Sequence, residues 1–326
     1  MKFVLQTYYF FSRLQRSSYL RMVSISVFTD KVAFFSLPAF VLLLVFAQFL
    51  QGCVREQMDS CMQYELTVKA VDPQGVDVTS SGTVTSIDLY LFDEDGFVRT
   101  IPRGSSSDFL FGEEKNKRLT LVAWGNLKGD SLKLPQLSVG TSLQEAKIEL
   151  LQTANGYSLP VTDLFYTRRE LSGTSTRSLQ SDTVKLVMER LAAGLSVRVS
   201  HAAEYFSSSN VDLHMVVRGT GSALNFLGEP SDDEAGYAPP MQAVSGKDEW
   251  YAPLFRVFPT NDDQHICIDL YKDSTLLFTI TTDDDGNILK ALSGVETYIT
   301  VDFHYARLHV TVSVEPWGTN EQDVQI

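Results

Sequence analysis

The feature that most constrains this chain is an alternation of apolar and polar side chains at a period of two. It recurs in short runs from about residue 87 to residue 314. In the segment 85–101, TSIDLYLFDEDGFVRTI, Ile87, Leu89 and Leu91 alternate with Asp88, Tyr90 and Phe92. An Asp-Glu-Asp-Gly turn then reverses the chain into 97–101, a hairpin pattern. RLTLVAWGNL gives a further strand, ended by Gly125-Asn126. GLSVRVSH sets Leu195, Val197 and Val199 against Ser196, Arg198 and Ser200, and NVDLHMVVRG repeats this with Val211, Leu213, Met215 and Val217. The stretch 264–289 reads as three strands turning at 272–274 and at Asp285-Gly286. RLHVTVSVEPW closes the series with Leu308, Val310, Val312 and Val314 on one face. Successive side chains of a strand point to opposite faces, so this pattern suits half-buried antiparallel sheets.

Helix is scarce. SLQEAKIELLQTA offers a capping box at Ser142 and Glu145, with Leu143, Ala146 and Leu150 on one helical face. Residues 147–151 read equally well as a strand after one helical turn. Many short strands with frequent turns predict an all-β chain of sandwiches. A division falls within VKLVMERLAAGLSVRV, where 184–188 closes one unit and 191–199 opens the next with almost no linker. The Ser/Thr-rich run 171–183 reads as a surface loop. The acidic, Pro- and Gly-rich run 227–250 reads as a long mobile loop.

Residues 32–50 carry no formal charge and are just long enough to span a bilayer as a helix. A secretory signal with Arg21 and Lys31 as its positive flank is the competing reading, and Met22 would give it a conventional length. The run ends at Leu50-Gln51-Gly52-Cys53, which resembles the lipobox of bacterial lipoproteins. That resemblance implies cleavage between Gly52 and Cys53 and acylation of Cys53. Residues 53–61 then form a polar, lipidated tether. The whole chain carries a net charge of −13. Its first 52 residues hold five basic side chains (Lys2, Arg13, Arg16, Arg21, Lys31) against Asp30, so their removal leaves 274 residues near −17. Phosphate backbones need a basic stripe, and none is found, so nucleic acid is not expected as a partner. Besides Cys53, the cysteines are Cys61 and Cys267. They could pair in an oxidising compartment, or each could stay a single thiol.

No catalytic or metal constellation emerges. His201, His214, His265, His304 and His309 have no His or Cys neighbour at ligand spacing. The turn 283–287 fails the calcium-loop pattern, since Thr281 and Leu292 would occupy its first and twelfth positions. Asp93-Glu94-Asp95-Gly96 fails the same way, with Leu91 first. Nucleophile-elbow, phosphate-loop and zincin motifs are missing. No cofactor is expected, and the chain reads as a non-enzyme. Trp124, Tyr251 and Trp317 could line a glycan site, or serve as core and rim residues.

The order of features, from CVREQMDSC through IDLYLFDEDGFVRTI, LVAWGNL, DLFYTRRE and VMERLAAGLSVRV to VTVSVEPW, resembles the fimbrillin-like lipoproteins of Bacteroidetes. The likeness is above all to the anchor subunits of their type V fimbriae. It implies two tandem transthyretin-like antiparallel β-sandwiches with Greek-key connections, at 62–188 and 189–326. It also implies attachment to the outer membrane through lipid on Cys53, and tethering or termination of a polymer of fimbrial pilin subunits. Pairing would use strand addition, with main-chain bonds for affinity and alternate pockets for specificity. The donor would be the tail 319–326, where Val324 and Ile326 alternate. Otherwise an open edge in the first sandwich would accept. Arginine-directed cleavage, known for the polymerising pilins, is not carried over, because Arg168, Arg169 and Arg177 lie far downstream, in expected loops. A surface glycan-binding or nutrient-uptake lipoprotein is the alternative.

Overall fold

Short β-rich segments separated by turn residues fold here as an all-β chain, seen in a computed structural model that describes residues 62–102, 108–113, 118–172, 182–208, 211–304 and 308–317. In chain order the strands are β1 (Met62–Val71), β2 (Ile87–Asp93), β3 (Gly96–Ile101), β4 (Asp108–Glu113), β5 (Arg118–Gly125), β6 (Leu132–Lys133) and β7 (Lys147–Leu150). They continue with β8 (Phe165–Ser172), β9 (Asp182–Arg190), β10 (Ala193–Ser200), β11 (Leu213–Gly221), β12 (Ala223–Asn225) and β13 (Glu234–Tyr237). The last six are β14 (Gln242–Ala243), β15 (Glu249–Val257), β16 (Cys267–Lys272), β17 (Thr275–Ile280), β18 (Val295–Asp302) and β19 (His309–Pro316). One helical turn, α1 (Ala202–Tyr205), follows β10.

Residues 62–190 supply a seven-stranded sheet in the order β3-β2-β5-β8-β9-β1-β4. Among the described residues, strands β8 and β9 pair only at Phe165↔Arg190 and Tyr166↔Glu189, and beyond that point they part. The sheet therefore folds into two leaves that share one core. Leu66, Val68, Leu186 and Met188 of one leaf join Leu89, Leu91, Leu121 and Ala123 of the other in that cluster. The later strands form a five-stranded sheet, β14-β15-β10-β18-β19, and a four-stranded sheet, β13-β11-β16-β17. Leu195, Val197, Val199 and Ile299 of the first share a second core with Leu213, Met215, Val217 and Ile268 of the other.

The second core reaches back into the earlier strands. β7 pairs with β12, Ile148 opposite Leu224, and Phe226 follows with its ring 5.0 Å from Tyr90 and 5.8 Å from Trp124. Tyr166 donates a hydrogen bond to the Phe226 carbonyl at 2.8 Å. Burial pushes the phenols of Tyr90 and Tyr166 up to about 12. Tyr90 and Phe92, set by the alternation on the solvent side of β2, face this second core instead, and Phe92 is fully buried. The described residues belong to one compact unit of the chain.

Local chemistry explains the turns. Gly96 sits at φ +117°, and a Cβ there would lie 2.5 Å from the Gly140 carbonyl oxygen, so the hairpin needs glycine at that point. Ser142 and Glu145 make their reciprocal bonds, but the helix stops after one turn and the chain continues as β7. A β-strand there gains the ladder to β6 and β12, which a longer helix would forfeit. The third strand expected after 280 shrinks to a single bridge, Thr282↔Ile288, around the turn at Asp283. The run 227–250 is not one long loop. It holds β13 and β14, and Ala235 and Tyr237 are buried in the second core.

Candidate functional site

β19 forms one border of the five-stranded sheet and pairs only with β18, from Asp302↔His309 to Val295↔Pro316. The core covers Val310 and, in part, Val312, whereas Val314 is 49% exposed. The strand ends at Trp317, which is buried between two guanidinium groups. Arg190 stands 4.7 Å from its ring centroid and Arg256 5.0 Å. Arg190 is itself held by a two-pronged ion pair, Nε to Asp163 Oδ1 at 2.7 Å and Nη2 to Oδ2 at 2.9 Å. Gly194 lets the indole approach, since a Cβ there would be 3.0 Å from it. This assembly fixes Trp317, the last described residue of the chain. The tail itself, with Val324 and Ile326, lies outside the described residues.

The aromatic residues proposed for a glycan site do not share an exposed face. Trp124 is fully buried beside Tyr166 and Phe226, and Trp317 is enclosed as described. Half-buried Tyr251 donates to Gln242 Oε1. A groove of about 500 Å³ runs past Tyr157, Pro160, Pro239, Pro253 and Leu254. A second, of about 450 Å³, lies between Val71–Gly75 and the start of β18, next to Pro316.

Among the described residues no group of three or more His, Cys, Asp or Glu is placed to hold a metal ion. The fold does join histidines that are remote in sequence. His201 Nδ1 lies 2.6 Å from Asp302 Oδ1, and the ring of His304 is 5.1 Å from that of His201. The hydrogen bond to Asp302 raises the His201 pKa, aided by Glu204 and Asp248. Nothing in the spacing of 201 and 304 announces this, because parallel pairing of β10 with β18 creates it. Cys267 carries a free thiol at the start of β16, raised by burial. Its suggested partner Cys61 lies outside the described residues, as do Gly52, Cys53 and Arg177.

Arg168 and Arg169 do not sit in a loop. They occupy the middle of β8, opposite Val122 and Leu121 of β5. A ladder-paired backbone is not the accessible extended segment that a protease requires. The two arginines stand on the β8 side of the split between β8 and β9. Arg169 Nη1 crosses it and donates to the Lys185 carbonyl at 2.7 Å. Three consecutive charged residues, Arg168, Arg169 and Glu170, mark this part of β8 in the sequence.

A family profile described as "Fimbrillin-A associated anchor proteins Mfa1 and Mfa2" matches residues 58–323. The chain is 26% identical over 302 residues to the major fimbrium anchoring subunit FimB of Porphyromonas gingivalis, covering 86% of this chain and 95% of that one. The solved fimbrial anchor protein Mfa2 of P. gingivalis superposes with a TM-score of 0.58 at 14% identity, over 79% of this chain and 98% of its own. A putative polysaccharide-binding protein of Bacteroides thetaiotaomicron gives 0.58 at 16%, over 78% and 96%. At those identities the two structures establish a shared fold and no more. By description these relatives are two fimbrial anchor proteins and a polysaccharide-binding protein, none of them an enzyme. With the profile spanning most of its length, the chain belongs to the Mfa1/Mfa2 family of fimbrillin-A associated anchor proteins.

Proposed function

We propose that this chain is a lipid-anchored subunit of a fimbrium that binds pilin subunits by strand addition and holds or terminates the fibre at the outer membrane. The observation that carries this reading is the family match over 58–323, joined to near-complete alignment with a relative named as an anchoring subunit. Its first matched residue follows closely on Cys53, so a lipid there would leave the whole matched region free to face fibre. The two halves, 62–188 and 189–326, are proposed as its two sandwich domains. Among the described residues β3, β4, β17 and β19 lie at sheet borders, the kind of place strand addition uses, although Phe97 of β3 and Val310 of β19 already bond to residues 140–141 and to Asp284.

The test is Cys53→Ala in the native host. Acyl chains contribute roughly 0.8 kcal/mol per buried methylene, so their loss should move the protein from the membrane to the soluble fraction and release fibres into the medium. Membrane retention of the variant, with its signal uncleaved, would show residues 32–50 to be a true span. Deletion of the gene with no change in fibre attachment or length would overturn the anchor reading itself.

A further inference from the structure

We infer that the split between β8 and β9 is the acceptor for the incoming strand, an inference that rests on the anchor reading above. In β8 the alternation turns Phe165, Thr167, Arg169 and Leu171 to one side, and Phe165 and Leu171 enter the first core. Arg169 shares that inward side yet is exposed. The wall of the sandwich is therefore open at this position. On the other lip, β9 is paired with β1 along its length from Asp182 to Glu189, and with β8 only at its last two residues.

The Lys185 carbonyl accepts from Arg169, so it points away from β1 and into the split. A residue's N–H and C=O point the same way in a ladder, and the direction alternates along the strand. Val187 thus also presents its main-chain groups to the gap, and its side chain is 46% exposed. A strand inserted here would have β8 on one side and β9 on the other, each at the roughly 4.8 Å spacing of neighbouring strands. Its alternate apolar side chains would meet Leu171, Val184 and Leu186.

Charge identifies the kind of strand. Exposed Arg168, Arg169 and Lys185 stand on the two lips, with Glu170 beside them and Asp182 opening β9, so basic residues outnumber acidic ones there in a chain of net charge −13. The occupant is an extended segment of a fimbrial subunit, apolar at alternate positions and carrying carboxylates between them. In its absence Arg169 occupies the free carbonyl and blunts the edge, as inward-turned charges do on other sheet borders.

The experiment places a benzophenone amino acid at Val187 of the full-length lipoprotein in its native host, with Tyr205 as the control position. Irradiation should yield an adduct at 187, mapped by mass spectrometry to an acidic, alternating segment of a fimbrial subunit, and none at 205. In parallel, Val187→Pro removes an N–H from the open lip and Arg169→Glu reverses the charge. Each should keep the membrane fraction unchanged while shedding fibres at least tenfold more than wild type. If both variants fold, sit in the membrane and hold fibres normally, the acceptor lies elsewhere although the anchor reading stands. An adduct only to a second copy of this chain, or no adduct on cells that retain fibres, overturns the assignment as well.

Discussion

Trp317 is stacked against Arg190, 4.7 Å from guanidinium carbon to ring centroid, while Asp163 grips the same arginine through both oxygens. The last described residue of the chain is thus locked to the end of β9, across the junction of the two halves.

Removing Trp317 should undo that lock. Trp317→Ala should cost about 3 kcal/mol, the lower end for a buried tryptophan. Asp163→Ala should cost a similar amount, about 3 kcal/mol, because it leaves the buried Arg190 charge unpaired. Chemical denaturation of each variant checks this. Since both act on one cluster, the double variant should lose clearly less than the two losses added; simple additivity would dissolve the cluster as a unit.

Asn126 terminates β5 at φ +63° and satisfies the loops around it. Its Oδ1 accepts from the Thr85 N–H and hydroxyl, and its Nδ2 donates to the Thr83 and Asp163 carbonyls at 2.8 Å. Asn126→Gly keeps the backbone angle but strands these groups, so it should destabilise by about 2 kcal/mol. Asn126→Ala adds backbone strain of roughly 1 kcal/mol. Equal melting temperatures for the two would show that the left-handed geometry contributes little.

Phe226 joins the earlier strands to the later core, touching Tyr90, Phe92 and Trp124. Phe226→Ala should cost about 3–5 kcal/mol. Near-ultraviolet dichroism of Trp124 should change while far-ultraviolet strand content stays. Loss of all sheet signal would mean that neither half folds without this contact.

The His201–Asp302 contact should respond to pH. Bonding to Asp302 raises the folded-state pKa of His201 above its unfolded value of about 6.5. The contribution to stability is therefore complete below about pH 6.5 and fades as pH rises through the raised folded value. Proton resonances of His201 should titrate above 6.5, and Asp302→Asn should bring them back toward it. The stability gap between wild type and Asp302→Asn should be widest in mild acid and narrow above neutrality; a gap that widens with pH would reverse the sign argued here.

By itself the sequence determined the strand class of the chain and much of its order. Alternating Leu195, Val197 and Val199, or Leu213, Met215 and Val217, can bury one face only as strands, and they do. Turn chemistry at Gly96 and Asp283 fixed reversals, since left-handed backbone and side-chain caps are local properties. Tertiary structure alone decided what covers the second face of each strand. Phe92 became core because β7 and β12 carry Phe226 over it, and residues 234–237 became a strand because β11 offered a partner. The same holds for the lips of the β8–β9 split, the His201–His304 pair and the Trp317 lock. Each brings together residues 16 to 127 positions apart, through ladder pairings that no local periodicity encodes. A period of two says which way a side chain points, but only the assembled sheets say what it meets.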